Sequence, residues 1–519
     1  MTMARRLISD VTSARTHSHS LTLKSEMKTT EVIIIGNGPS GITLSYMLSG
    51  HWPYYNGQPL PPGQSSEYLQ MRLEDKRDAS LVEQELESLS DGIEGRSTNP
   101  VAVLLDSLNH PGADTGLNNT SVLKWQLHKN RHIPHVVLGK TLPGGAWQMM
   151  EGNMQTLSLG NWMELPGKPF REWLKKHRAA KTNEENGISD YPTDRASMTD
   201  LRDYYQDYVH SNGLTDHFQS HSTVTSVRKV VDTETVVNME NGEVEELMTT
   251  DAEGNKAPLW EVRGFHFKEE DDNENVEIEE FCYRAPHVVL ATGSYDLPNR
   301  LHVEGEQYPF VLHSLPELEE RLNAGDIGPD SDPVMIVGSG LTAADAILCC
   351  MNASIPIVHV FRRQPDDPSV IYNSLPPKLY PEYHKILQMM KGEKKDYECY
   401  KPYAEYSILQ FGVDNQVLIK GTKHKCTPMI KVSYAVVLIG SKPDLTYLPN
   451  SGRDLGVVPN CCIDCKHNPL DLDPYTFQSN CETGLFAMGP LSGDNFVRFI
   501  QGGALGITNF LWKKRTESL

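Results

Sequence analysis

The hydrophobic pattern changes period along the chain, and each change marks an element. Val32–Ile35 is an uninterrupted apolar run, as expected of a strand buried on both faces of a parallel sheet. It leads into Gly36-Asn37-Gly38-Pro39-Ser40-Gly41 and then an apolar helix over 42–48. The same order returns at Val334–Val337, followed by Gly338-Ser339-Gly340-Leu341-Thr342-Ala343 and a helix over 344–350. Further buried strands are predicted at His135–Leu138, His287–Leu290, 356–361 and 435–439. Alternating residues over 221–285, with turns at Asn241-Gly242 and Gly254, predict a β-meander whose acidic run 269–280 caps an exposed hairpin. Helices are predicted over 80–89, 101–108, 198–210 and 496–512, the last interrupted by Gly502, Gly503 and Gly506.

A strand, a G-x-G-x-x-G turn and a helix form a dinucleotide cradle. The first glycine permits the tight turn, the second admits a pyrophosphate, and the third lets helix pack on strand. Amides and dipole at the helix start then favour the phosphate charge. Gly36, Gly38 and Gly41, with Pro39 and Ser40, are therefore candidate phosphate-binding residues. Gly338, Ser339, Gly340 and Thr342 form the second set. The strand after the second turn ends in Arg362-Arg363, where arginines match the 2′-phosphate of NADP and an acid would match NAD. After the strand His135–Leu138 come Gly144, Gly145 and Trp147, which suggest backbone laid close to a flat ligand with an aromatic wall beside it.

The second strand of the first unit arrives late, so residues 51–132 are read as an insertion. A lid, a partner surface and a tether would look alike there. The chain divides into a tail (1–28), a first domain (29–300, with the insertion), a second nucleotide domain (301–445) and a return to the first (446–519).

Charge and cysteine content narrow the function. With 68 acids against 48 bases the net charge is −20, which argues against nucleic acid as a partner. No apolar stretch reaches the length of a membrane span. Nine cysteines, an odd number without a secretory signal, fit a reducing compartment and a cytoplasmic protein. Arg5, Arg6, Arg15, Lys24 and Lys28, among Ser and Thr, are also compatible with a mitochondrial presequence. Cys462-Ile463-Asp464-Cys465 has C-x-x-C spacing but lies in a late polar loop. With Cys461, His467 and Cys481 it fits no standard zinc pattern, so no metal is expected.

Two glycine turns, the Gly144-Gly145-Ala146-Trp147 element and Ala291-Thr292-Gly293 with Pro298 resemble the flavin-containing monooxygenases. More narrowly, Asn37-Gly38-Pro39-Ser40-Gly41, the segment 89–96, Gly338-Ser339-Gly340-Leu341-Thr342-Ala343-Ala344-Asp345 and Gly493-Asp494-Asn495-Phe496-Val497-Arg498 resemble the oxidative-stress-induced growth inhibitor family. The resemblance implies an α/β flavoprotein with two Rossmann-like dinucleotide domains, the NADP domain inserted in the FAD domain, and an added β-meander. It implies FAD in the first turn, with Asp494 binding the ribityl hydroxyls, and NADPH in the second. The implied activity is a monooxygenase-like transfer of oxygen to a small nucleophilic substrate, associated with growth restraint, differentiation and cell death. The cofactor carries that chemistry, so no catalytic residue is assigned.

Three features depart from this pattern. Gly139-Lys140 stands where a flavoprotein usually places an acid for the adenosine ribose. The monooxygenase fingerprint F-x-G-x-x-x-H is present only in part around Phe310 and His313, and Asn161-Trp162 has no assigned role. The alternative is a non-catalytic or weakly catalytic signalling protein that keeps the fold and binds a protein partner through residues 51–132.

Overall fold

The computed structural model describes residues 27–517 except 62–66, 118, 151–153, 183–194, 231–232, 238–243, 249–258, 270–275, 394–396 and 423–426. Outside it lie the basic tail, the Asn241-Gly242 and Gly254 turns, and the middle of the acidic run.

Two parallel five-stranded sheets organise the chain. The first has the order Leu485–Ala487, His287–Leu290, Val32–Ile35, His135–Leu138, Phe218–Gln219. The second runs Val311–Leu312, Ala435–Val437, Val334–Val337, Ile357–Phe361, Tyr400–Ala404. In each, the strand that feeds a glycine turn is central. Its four residues are all buried, and burial of each such side chain contributes about 2 kcal/mol. The chain leaves the first sheet at Leu290, builds the second, and returns with Leu485–Ala487, giving the two-dinucleotide α/β fold.

The meander is present as Ser222–Val230, Leu259–Glu269 and Val276–Ala285, paired antiparallel. Met27–Thr29 adds a parallel edge strand to it, within the segment expected to be tail. The helices expected over 101–108 and 198–210 are observed as Pro100–Asn109 and Met198–Ser211. The helix expected over 80–89 is instead a 3-10 turn, Leu81–Glu83, and a short helix, Leu86–Ser90. Ser80 caps the start of the turn through Val82 and Glu83, and the extended backbone of Gln84 and Glu85 breaks the helical run between the two pieces.

Much of the insertion is packed into the first domain. His51–Tyr55 pairs with Leu123–Leu127, and Trp52, Leu104, Leu105 and Leu108 enter the same core as Val32 and Ile34. The helix Pro100–Asn109 crosses the C-terminal helix Val497–Glu517 so closely that a Cβ on Gly502 would collide with the backbone of Ala102. That contact accounts for Gly502, while Gly503 and Gly506 make room for Met488 and for Tyr475 and Phe477.

One buried arginine links the strand pair Gln155–Leu159 and Arg195–Ser197 to the helix Pro381–Lys391 of the second nucleotide unit. Arg195, on the strand Arg195–Ser197, donates to Glu382 Oε1 at 2.6 Å and to Thr156 O at 2.5 Å, with its guanidinium 4.7 Å from the Tyr380 ring centroid. Tyr380 Oη donates to Leu157 O at 2.5 Å. Charged and neutral hydrogen bonds thus lock the orientation across this seam.

Candidate functional site

The first glycine turn is closed by its neighbours. Gly36 has φ +115°, and a Cβ there would collide with the carbonyl of Ala291, where the adjacent strand ends. Only glycine fits. Gly38 is the N-cap and Pro39 the first residue of the helix Pro39–Leu48, all of which is buried. The Pro143-Gly144-Gly145 segment docks on this turn. Gly144 N donates to Asn37 O at 2.9 Å, and a Cβ on Gly145 would press into the Gly38 backbone. Trp147 is half-buried against the cluster that holds Ile42 and Tyr46. The C-terminal return reaches the same place, since a Cβ on Gly489 would strike the Ser40 hydroxyl.

Asp494 completes the assembly. It is 3% exposed and accepts from Ser97 Oγ at 2.5 Å, Asn99 Nδ2 at 2.6 Å and Ser492 Oγ at 3.4 Å. Burial raises its pKa to about 6 against the lowering effect of these donors. Ser97 and Asn99 belong to the insertion and were not anticipated. Asn99-Pro100 is a legible helix start, but a contact to a residue so distant in sequence leaves no local signal.

Where an acid is customary for the adenosine ribose, the structure has another arrangement. Asn37, buried, donates to Thr141 O at 2.5 Å, and its side chain occupies the space beside Gly139. Lys140 Nζ lies 3.6 Å from Asp296 Oδ1. Asp296 arrives from beyond the strand His287–Leu290, so an acid is near this strand end although the strand does not supply it.

Beside Asp494, the first turn of the last helix enters a buried charge network. The Arg498 guanidinium lies 4.6 Å from the Trp162 ring centroid and pairs with Asp106 at 3.5 Å and with Asp114. Trp162 therefore covers a buried cation. His110 meets Asp106 at 3.2 Å and Glu164 at 3.7 Å. Burial alone would lower the His110 pKa, but these two carboxylates overcome it and carry it up to about 9.

The second glycine turn has the same backbone in a more open setting. Gly338 has φ +128°, and a Cβ there would collide with Leu438 O. No atom lies within 4 Å of a Cβ built on Gly340, Ser339 is half-buried, and Thr342 is exposed. Two residues missed by motif reading fix the turn's carbonyls. His359 Nε2–H donates to Gly338 O at 2.6 Å while its Nδ1 accepts from Tyr400 Oη at 2.7 Å, and Tyr372 Oη donates to Gly340 O at 2.6 Å. Arg362 and Arg363 are exposed at the end of the strand Ile357–Phe361, and Arg363 Nη1 donates to Ser369 O at 3.0 Å. His313, from the partial fingerprint, is buried with Glu306 Oε1 3.2 Å from its Nε2.

Among the described residues, no cysteine lies in either glycine turn. Cys462 is exposed and Cys465 half-buried, in a loop where Asp464 caps the amides of Lys466 and His467. Cys349 and Cys350 are adjacent in the helix Leu341–Asn352. Among the described residues, no helix is long and apolar enough to cross a membrane.

The comparisons agree with this geometry. A family model described as pyridine nucleotide-disulphide oxidoreductase matches residues 265–455. Bacillithiol disulfide reductase Bdr from Staphylococcus aureus superposes with a TM-score of 0.53 at 14% identity, covering 94% of this chain and 100% of its own. Ornithine hydroxylase from Pseudomonas aeruginosa gives a TM-score of 0.51 at 12% identity, covering 93% and 99%. Both share the fold. In sequence, oxidative stress-induced growth inhibitor 2 of Homo sapiens is 44% identical over 495 residues, 94% of each chain. The chain belongs to the oxidative stress-induced growth inhibitor family.

Proposed function

We propose that the protein is an FAD-containing oxidoreductase that accepts reducing equivalents from NADPH and acts as a monooxygenase on a small nucleophilic substrate. The observation that carries this reading is the convergence on the first turn. Gly38 and Ser40, the Gly144-Gly145 backbone, and the return through Gly489 and Asp494 meet from three distant parts of the chain. FAD bound there would supply hydride acceptance and dioxygen activation.

The chain's own part is to bind and to exclude water. The amides of Ser40 and Gly41 at the helix start present donors and a positive dipole end to a pyrophosphate. Asp494, held in place by Ser97 and Asn99, is an acceptor for ribityl hydroxyls. Arg362 and Arg363 are exposed and would offer guanidinium donors to a 2′-phosphate, Arg363 through the groups not already bonded to Ser369 O. No cysteine occurs in 36–50, which favours oxygen transfer over disulfide exchange at the flavin.

One observation favours the non-catalytic alternative. Asp494 already receives three donors from its own chain, as in a cradle kept for shape. A relative's name carries growth inhibition, and we extend that role to this chain under either reading. The test is to purify the protein, add FAD, and record the visible flavin band before and after NADPH or NADH without oxygen. Bleaching by NADPH in preference to NADH is expected. Absence of bound flavin after reconstitution would sink the enzymatic reading.

A further inference from the structure

At the opposite end of the first sheet from the glycine turn, three imidazoles converge. His132 precedes the strand His135–Leu138, His135 begins it, and His217 ends the 3-10 turn Thr215–His217 that leads into the neighbouring edge strand. One nitrogen from each lies within 4.8 Å of the others. His135 is buried, and His132 and His217 are half-buried. We propose that these three side chains form a zinc-binding site, with a water in the fourth position.

The tautomers suit this role. His135 Nδ1–H donates to Ile133 O at 2.8 Å, so its Nε2 carries the lone pair. Backbone carbonyls acting on the far nitrogen in this way orient metal-binding histidines and raise their basicity. His135 Nε2 accepts from Ser45 Oγ at 2.8 Å. A metal would take that lone pair, and the Ser45 hydroxyl, within a helix, can turn to the carbonyl of Gly41 one turn back. His132 has no ring hydrogen bond among the described residues, so its nitrogen is available.

The spacing is close to what an ion needs. With Zn–N bonds of 2.0–2.1 Å, tetrahedral ligand nitrogens stand about 3.3 Å apart. The rings are already gathered, with centroids 4.1 Å apart for His135 and His217 and 5.3 Å for His132 and His217. These rings are stacked, so closing the set requires the half-buried His132 and His217 to turn until one nitrogen of each faces that of His135. Three neutral imidazoles without a carboxylate exclude calcium and magnesium, which require oxygen ligands, and suit a borderline ion. The nearby Arg515 is engaged with His132 O at 3.0 Å and with Glu31 at 3.5 Å, which offsets its charge at the site. Bound zinc would tie the start of one strand to the turn before its neighbour, independently of any flavin or nucleotide.

The test compares the full-length protein with a His132→Ala/His217→Ala variant, both stripped with EDTA and dialysed against buffered zinc, with metal counted by mass spectrometry. Exposed thiols at Cys461, Cys462 and Cys481 can take up zinc themselves, so the difference between the proteins is the readout. One more equivalent of zinc in the native chain is expected. Cobalt substitution should give a tetrahedral visible absorbance that the variant lacks. If the double variant fails to fold, His132→Asn, at a half-buried position whose ring makes no hydrogen bond among the described residues, should weaken zinc binding by about tenfold and reduce the rise in Tm that zinc produces. Equal zinc content in native and variant chains, or a Tm insensitive to zinc in the native protein, would overturn the proposal.

Discussion

The two glycine turns share a backbone conformation and differ in what surrounds them. Gly36 and Gly338 have φ values of +115° and +128°, and each backs onto the carbonyl of a neighbouring strand end. Around the first, an entirely buried helix, the Gly144-Gly145 segment, the C-terminal return and the insertion close in from all sides. Around the second, Gly340 faces open space, and Thr342, Arg362 and Arg363 are exposed. A ligand enclosed by several chain segments must wait for them to open, whereas one on an exposed turn leaves freely. On the proposed reading, the difference would separate a resident cofactor site from an exchanging nucleotide site.

The strongest way to break the comparison is to add a Cβ to each turn. Gly36→Ala forces a side chain into the left-handed region and against Ala291, and should cost about 3 kcal/mol or more, with loss of both fold stability and flavin. Gly338→Ala should abolish NADPH reduction while the flavin stays. Denaturant melts and flavin absorbance of the two variants check this. Equal flavin loss in both would erase the distinction.

Protonation separates two buried histidines next. His359, behind the second turn, is pushed down to about 4 by burial against the raising effect of Gly338 O. The unfolded chain binds this proton first, so its destabilising effect grows as pH falls below about 6.5. His110, in the network beside the first turn, has the opposite sign. Carried up to about 9, it contributes fully below about pH 6.5, and that contribution is lost as pH rises through 9. Each effect is bounded at about 3 kcal/mol. Tm should therefore peak near neutrality. His110→Gln should flatten the alkaline limb and leave the acid limb unchanged.

Smaller changes sharpen the account. Asn99→Ala leaves a buried carboxylate short of a donor and should cost about 2 kcal/mol, weakening flavin retention without altering nucleotide preference. Exchange of Arg362 and Arg363 for alanine should do the reverse, costing about 2 kcal/mol in the preference for NADPH over NADH, read from anaerobic reduction at graded concentrations. Unchanged discrimination would remove these arginines from the nucleotide site.

Local pattern made the two turns, their strands and the return through Asp494 legible, because each is a short run with a fixed period and a glycine in a fixed place. The surroundings were not legible. Ser97 and Asn99 meet Asp494 only after the last helix has closed on the insertion at Gly502, and an uneven, charged composition concealed a packed unit. His359 sits in an apolar strand where a core residue and a turn anchor read alike, and only its bond to Gly338 O tells them apart. The acid beside Lys140 was missed because Asp296 comes from the loop after the strand His287–Leu290, not from the strand end that the motif assumes.

The central claim, one resident and one exchanging ligand, is tested most directly by loading the native protein with FAD and NADP together and passing it through a desalting column. The account predicts that flavin elutes with the chain and that the nicotinamide nucleotide does not. Loss of the flavin with the nucleotide, or retention of both, would contradict it.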